Sequence, residues 1–230
     1  MAYRRNYRRR RGFLANTSVT NLLILLNVVV FFVILIALIA GFGEGIINYF
    51  ALTPSLFFKG YVWTILTSMF MHVLFLHLLV NMVSMFFVGN FVERLIGKKR
   101  YLWFYMLSGL VAGLFFVGFG YVGQFIPNGE VLFGGFNVAA LGASGALFGL
   151  GGLLAVLIPR LKVLLFFIIP MPMWLAMGVL MFGFWIASAT AGLPIGNTAH
   201  FGGLVVGVIY GFYLRHKYAR KVKMLNKMFK

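Results

Sequence analysis

Six long apolar segments, separated by short connections that hold almost all of the charge, constrain this chain more than any other feature. A helix needs about 20 apolar residues to cross the hydrocarbon core of a bilayer. Of the residues, 62% are apolar and only 10% are charged, which is too little charge to cover a water-exposed surface. The sequence therefore predicts an all-α membrane protein, a bundle of six transmembrane helices at about residues 20–40, 72–92, 101–122, 142–158, 170–190 and 198–215.

One further apolar run does not fit this pattern. Residues 161–170 are apolar, but Pro159, Pro170 and Pro172 separate the run from its neighbours, because proline interrupts helices. We find no internal repeat and no second domain. The predicted organisation is a basic cytoplasmic tail, a membrane domain and a second basic cytoplasmic tail, at residues 1–19, 20–215 and 216–230.

The distribution of Lys and Arg predicts the orientation of the chain. Six precede the first segment, four lie in residues 93–100, two in residues 159–162 and seven in residues 215–230, whereas the first, third and fifth connections hold only Lys59. Cytoplasmic connections are the ones enriched in Lys and Arg. We therefore expect a multi-pass protein of the cell membrane with both termini in the cytoplasm.

The net charge of +17 also raises the question of nucleic acid. A nucleic-acid-binding protein carries a basic face on a soluble fold, but here the charge is confined to tails and connections. We expect contact with anionic lipid headgroups at the cytoplasmic face and no nucleic-acid partner.

The acidic residues limit the possible chemistry. The chain has three glutamates, at positions 44, 93 and 130, and neither Asp nor Cys. This composition excludes disulfides, a thiolate nucleophile, a pair of catalytic aspartates and a Ser-His-Asp triad. We expect no metal and no cofactor.

Four polar residues lie near the outer ends of the second, fourth and sixth segments. They are His77, Asn81, Ser144 and His200. Polar groups at membrane depth are usually paired or functional, although each of these has a structural alternative, such as a hydrogen bond between packed helices. Their shared depth favours a common site.

Small residues at intervals of four predict how two of these segments meet. Gly145 and Gly149 follow Ser144, and Gly203 and Gly207 follow His200. Such stripes let helices approach closely in lipid. If the two stripes face each other, Ser144 and His200 come within hydrogen-bond distance, as a serine nucleophile and its base require.

Three motifs resemble those of the rhomboid family of intramembrane serine proteases. Residues 72–81 are similar to the pattern His-x4-His-x3-Asn, residues 142–145 match Gly-x-Ser-Gly, and residues 199–207 match Ala-His-x-x-Gly-x-x-x-Gly. Glu93-Arg94 matches a further family position. The motifs occur in order on alternate segments, and the resemblance covers about residues 45–215.

The resemblance implies a role for each motif residue. It makes Ser144 the nucleophile and His200 its base, with no acid needed. It implies an oxyanion hole formed by His77, Asn81 and the Ser144 backbone N–H. Supporting roles are implied for four further residues, Gly142, Gly145, Phe148, which stacks on the base, and His72. The expected substrates are transmembrane segments of other proteins.

The sequence also departs from the family, which usually has Trp-Arg in the first outer loop. Here the pair is Trp63-Thr64, which puts in doubt how loop 41–70 is held. Three alternatives stay open: a catalytically inactive rhomboid-like scaffold, a transporter or channel, and a Ser-Lys protease. Inactive relatives usually lack the Ser or the His. For a Ser-Lys protease, Lys162 lies at the wrong membrane face and Lys59 lies in a loop far from any serine motif.

Overall fold

The structure, a computed structural model, describes residues 17–166, 168–193 and 195–229. Most of the chain is helical, with one two-stranded sheet. The elements are α1 Val19–Ile39, α2 Gly43–Phe50, α3 Pro54–Phe58, α4 Thr64–Thr67, α5 Phe75–Ser84, α6 Asn90–Ile96, α7 Lys98–Gly123, α8 Gly129–Phe133, α9 Ser144–Leu157, β1 Lys162–Leu165, β2 Ile169–Pro172, α10 Met173–Ala191, α11 Asn197–Lys217 and α12 Ala219–Lys227.

Among the described residues, four helical stretches are long and apolar enough to cross a membrane. They are Val19–Ile39, Phe75–Ile96, Lys98–Gly123 and Met173–Ala191, where the second comprises α5, a π-helical segment and α6. They mark the chain as an integral membrane protein. The other two predicted spans coincide with α9, which has only 14 residues, and α11, which has 21 residues and polar ends. The count of six spans and the orientation of the termini therefore stay predictions.

The short helix α9 lies at the centre of the bundle. It packs against α7, α10 and α11, and eleven of its 14 residues are buried. A helix that is apolar on all sides is buried among other elements, and α9 therefore presents little surface to lipid. The neighbouring helices therefore fix the position of both ends of α9.

The apolar run at residues 161–170 forms most of a β-hairpin rather than a helix. Strand β1 pairs antiparallel with β2, with Lys162 opposite Pro172 and Leu165 opposite Ile169. Pro170 and Pro172 lie in β2, and α10 begins directly after Pro172, so the fifth predicted span starts three residues later than expected. A proline disfavours the helical conformation in the residue before it, so Ile169 and Met171 stay extended and the helix begins only after Pro172.

The structure describes almost all of the predicted C-terminal tail but little of the predicted N-terminal tail. Residues 1–16 lie outside the described residues. In the C-terminal segment, α11 continues to Lys217, and α12 follows with Val222 buried. We expected a solvated tail, but one face of it packs against the bundle.

Loop 41–70 is held by hydrogen bonds that do not require an arginine. The Trp63 indole N–H donates to the Tyr49 carbonyl at 2.8 Å, and the Thr67 hydroxyl donates to the Phe50 carbonyl at 2.7 Å. The backbone of Leu52 exchanges two hydrogen bonds with Ala140. Thr64 is buried and donates to the Tyr61 carbonyl. The loop is thus fixed to itself and to the segment that precedes α9.

A buried carboxylate fixes the start of α1. The Glu93 carboxylate, at the end of the second span, accepts hydrogen bonds from the backbone N–H groups of Val19 and Thr20 at 2.9 and 2.8 Å and from the Thr20 hydroxyl at 2.7 Å. The first N–H groups of a helix have no partner within the helix and favour a negative charge nearby. Glu93 supplies both the partner and the charge.

We predict that Glu93→Gln destabilises the protein by about 1–3 kcal/mol, because a neutral amide has one acceptor oxygen for three donors. Thermal unfolding of the purified protein in detergent measures this loss. Glu44→Gln is the matched control, since Glu44 lies in the first turn of α2 and is exposed. Equal unfolding temperatures for the two variants would contradict the role of Glu93.

Candidate active site

Ser144 is the first residue of α9 and is half-buried. The backbone N–H groups of a first helical turn have no acceptor within the helix. The chain reaches Ser144 through Gly142, which has a φ of +116°, a conformation that favours glycine. The serine hydroxyl and its own N–H therefore lie at the positive end of the central helix.

His200 lies in the first turn of α11 and is buried. Its Nε2 atom is 2.7 Å from the Ser144 hydroxyl oxygen, and 56 residues separate the two in the chain. Within the part of the chain that the structure describes, His200 Nδ1 has no hydrogen-bond partner. The pair is thus a serine and an imidazole without a carboxylate behind the imidazole.

Glycines allow the two helices to bring this pair together. A Cβ atom on Gly203 would overlap the Gly145 carbonyl, and one on Gly207 would overlap the Gly149 carbonyl. The backbones of α9 and α11 are therefore in direct contact, as the spacing of the small residues predicts. Any larger side chain would push the helices apart and separate Ser144 from His200.

Two aromatic rings fix the orientation of the His200 imidazole. The Phe148 ring, one turn after Ser144, stacks on it with 4.3 Å between ring centroids and 10° between planes. Phe184 from α10 contacts it from another side, with ring centroids 5.7 Å apart. The sequence predicts the Phe148 contact but not that of Phe184, because the spacing within α10 does not show which of its aromatics faces α11.

His77 and Asn81 lie on one face of α5, near the N-terminus of α9. An ideal Cβ on Gly142 would lie 2.7 Å from His77 Cε1 and 2.9 Å from His77 Nε2, so glycine is needed for this close approach. The Asn81 amide donates one hydrogen bond to the His77 carbonyl at 2.9 Å. An asparagine amide has two N–H donors, which leaves the second for another acceptor.

His72 lies behind this group. It is fully buried, its ring is 5.0 Å from that of His77, and neither of its ring nitrogens has a hydrogen-bond partner among the described residues. It lies against the His77 ring and near the backbone at Gly142. This position fits a supporting element better than a reacting group.

A large cavity joins these residues. It has a volume of about 1240 Å³, and Ser144, His200, His77 and Asn81 all line it. Gly142, Gly145 and Phe148 line it too. Among the described residues, no group of three or more His, Asp and Glu side chains is arranged to hold a metal ion. Around Ser144 and His200 the cavity is faced by a hydroxyl, imidazoles, an amide and the free N–H groups of a helix, and Glu130 and Lys162 also line it.

The fold and the site define an α-helical integral membrane protein with a hydrogen-bonded serine and histidine on two contacting central helices. The family described as Rhomboid domain matches residues 59–217, which is most of the chain. The protein therefore belongs to the rhomboid family, as its motifs predict.

Related proteins from several organisms are similar to this chain. Rhomboid protein 1, mitochondrial, from Saccharomyces cerevisiae is 34% identical over 155 residues, which cover 66% of this chain and 41% of that protein. Rhomboid protease GluP from Bacillus subtilis is 31% identical over 189 residues, 82% of this chain and 33% of that protein. Inactive RHOMBOID-like protein 8 from Arabidopsis thaliana is 38% identical over 73 residues, 32% of this chain and 21% of that protein. In each case the match spans less than half of the relative.

We predict that Gly207→Ala destabilises the protein by about 1–3 kcal/mol, because the added methyl group would force α9 and α11 apart. Gly183→Ala on α10 is the matched control, since a Cβ there meets nothing within 4 Å and alanine favours helix. Thermal unfolding in detergent compares the two variants. If Gly207→Ala unfolds at the temperature of Gly183→Ala, the contact between the glycine faces is not tight.

Proposed function

We propose that this protein is an intramembrane serine endopeptidase that hydrolyses peptide bonds in or near transmembrane segments of other proteins. The observation that carries the proposal is the 2.7 Å separation of Ser144 Oγ and His200 Nε2. At this distance a neutral imidazole accepts the hydroxyl proton as the oxygen attacks a carbonyl carbon. Membership of a family that includes proteases supports it.

The proposed mechanism has two chemical stages. Ser144 Oγ attacks the peptide carbonyl while its proton passes to His200 Nε2, and the imidazolium then gives that proton to the departing amine nitrogen. Water then attacks the resulting acyl-enzyme while His200 Nε2 accepts a proton from it, and His200 returns that proton to Ser144 Oγ as the bond from Oγ to the acyl group breaks and the carboxylic acid product leaves. Phe148 and Phe184 hold the ring in place during the proton transfers, which is the orienting part of the task that a carboxylate performs in a triad.

The oxyanion formed during attack needs hydrogen-bond donors in a fixed position. The Ser144 N–H at the start of α9, the free N–H of Asn81 and the His77 imidazole line the same cavity, and we assign them this role. These groups are held by the bundle before substrate arrives, so little reorganisation is needed when charge develops.

The proposed topology follows the distribution of charge. We place six helices across the membrane, both termini in the cytoplasm and the protein in the cell membrane, with basic tails near anionic headgroups. The resemblance to a mitochondrial relative makes a mitochondrial membrane the other setting to test. To test the orientation, a single cysteine replaces Asn128 or Lys223 in this Cys-free chain, and intact cells are treated with an impermeant thiol reagent. We predict labelling of the cysteine at position 128 only. Labelling at position 223 would contradict the orientation.

We predict that a serine-directed phosphonate labels Ser144 alone. His200→Ala should abolish the adduct as completely as Ser144→Ala does, since the pair acts as a unit. Ser108→Ala is the matched control, because Ser108 is also buried but has no hydrogen-bond partner among the described residues. Mass spectrometry of the folded protein locates the adduct. No adduct at Ser144 with a range of reagents would instead support a catalytically inactive scaffold that binds membrane-protein clients.

We predict that Asn81→Ala lowers turnover by about 10²–10³-fold if its amide is a dominant oxyanion donor, and that His77→Ala also lowers it. The unfolding temperature checks that each variant is folded. Unchanged turnover in both variants would show that the two residues only pack.

Substrate choice should depend on helix stability. The backbone of a transmembrane helix is fully hydrogen-bonded, so a peptide bond becomes available only where the helix unwinds. We predict faster cleavage of spans with Gly, Ser or Pro near the outer end, measured on matched spans in vesicles. Equal rates for a poly-Leu span and its Gly-containing counterpart would show that the enzyme does not select unstable helices.

A further inference from the structure

A basic groove lies where α11 ends and α12 begins, at the end of α11 opposite His200. It has a volume of about 710 Å³. The last turn of α11 contributes Arg215 and His216, and α12 contributes Lys223 and Lys227. None of the residues that line it is acidic. Like charges gathered without a counter-charge are unfavourable, so an anionic ligand would stabilise this arrangement.

The groove is part of the folded bundle rather than a feature of a loose tail. The Asn226 amide of α12 donates to the Leu157 carbonyl at the end of α9 at 2.6 Å. Val222 is buried, and the Phe229 ring contacts that of Phe91 with centroids 6.1 Å apart. These contacts fix α12 against α9 and α6, so Lys223 and Lys227, four residues apart, face the groove together.

Two other charged groups at this end of the bundle, Lys217 and Glu93, already have partners. Lys217 donates to the Tyr213 hydroxyl at 2.9 Å and lies over the Tyr213 ring. Glu93 accepts hydrogen bonds with both carboxylate oxygens at the start of α1. Neither lines the groove, so its cations are left for an external anion.

An apolar path leads out of the groove along α11. Phe212 lines the groove and is 58% exposed, and Ile209, one turn earlier, is 64% exposed. In a membrane protein such side chains contact acyl chains. The groove thus presents cations to a headgroup at the level where the lipid-facing surface of α11 begins.

We propose that this groove binds one anionic glycerophospholipid. Its phosphate contacts Arg215, Lys223 and Lys227, and its acyl chains follow Phe212 and Ile209. The guanidinium of Arg215 matches two phosphate oxygens at once, and basic pockets beside membrane helices bind anionic headgroups in this way. Because Asn226 connects α12 to α9, the bound lipid also braces the end of the helix that carries Ser144.

The test uses native mass spectrometry of the full-length protein in detergent, titrated with phosphatidylglycerol or with phosphatidylcholine of the same acyl chains. One phosphatidylglycerol should bind in preference to phosphatidylcholine. Each basic side chain contributes a factor of about five, so Lys223→Gln with Lys227→Gln should weaken phosphatidylglycerol binding about 25-fold. Unfolding in lipid-free detergent at the parent temperature shows that this double variant is folded.

The matched control is Arg220→Gln with Lys221→Gln. It removes the same charge from the same helix, but neither residue lines the groove, so binding should change less than about twofold. Equal losses in the two double variants would overturn the proposal in favour of diffuse attraction. Binding of glycerol 3-phosphate, which has the phosphate without acyl chains, as tight as that of phosphatidylglycerol, or equal binding of the two phospholipids, would also overturn it.

Discussion

The contact between the glycine faces of α9 and α11 is the constraint on which the rest of this structure depends. Carbonyl groups of α9 occupy the space that side chains at Gly203 and Gly207 would fill. Because lipid offers no hydrophobic drive for helices to associate, close packing of this kind supplies much of the attraction. The same contact sets the distance between Ser144 and His200, so stability and chemistry share one interface.

This arrangement also explains how the base is held without an acid. The chain has no aspartate, and among the described residues no group accepts a hydrogen bond from His200 Nδ1. A buried carboxylate would require several compensating hydrogen bonds in a medium of low polarity. Stacking of Phe148 and contact with Phe184 orient the imidazole through shape alone, which suits a site enclosed by helices.

Much of the site could be predicted from the sequence because it depends on periodicity. Ser144 and His200 border glycine stripes whose spacing of four residues is visible in the chain. Phe184 was not predicted as part of the site, because its contact depends on the rotation of α10. The hairpin that includes most of residues 161–170 was not predicted because its apolar residues do not alternate with polar ones. The docking of α12 was not predicted either. It includes a hydrogen bond from the Asn226 amide to the Leu157 carbonyl at the end of α9, and the distribution of charged residues along the chain does not reveal such a contact.

The central claim is that this bundle cuts membrane-spanning proteins with the serine at the start of α9. It is tested most directly by reconstituting the purified protein and its Ser144→Ala variant in vesicles with a panel of single-span membrane proteins. Cleavage products are then identified by mass spectrometry. We expect the parent protein to cut at least one substrate within or next to its span, and the variant to cut none. Cleavage by the Ser144→Ala variant at the parent rate would contradict the account.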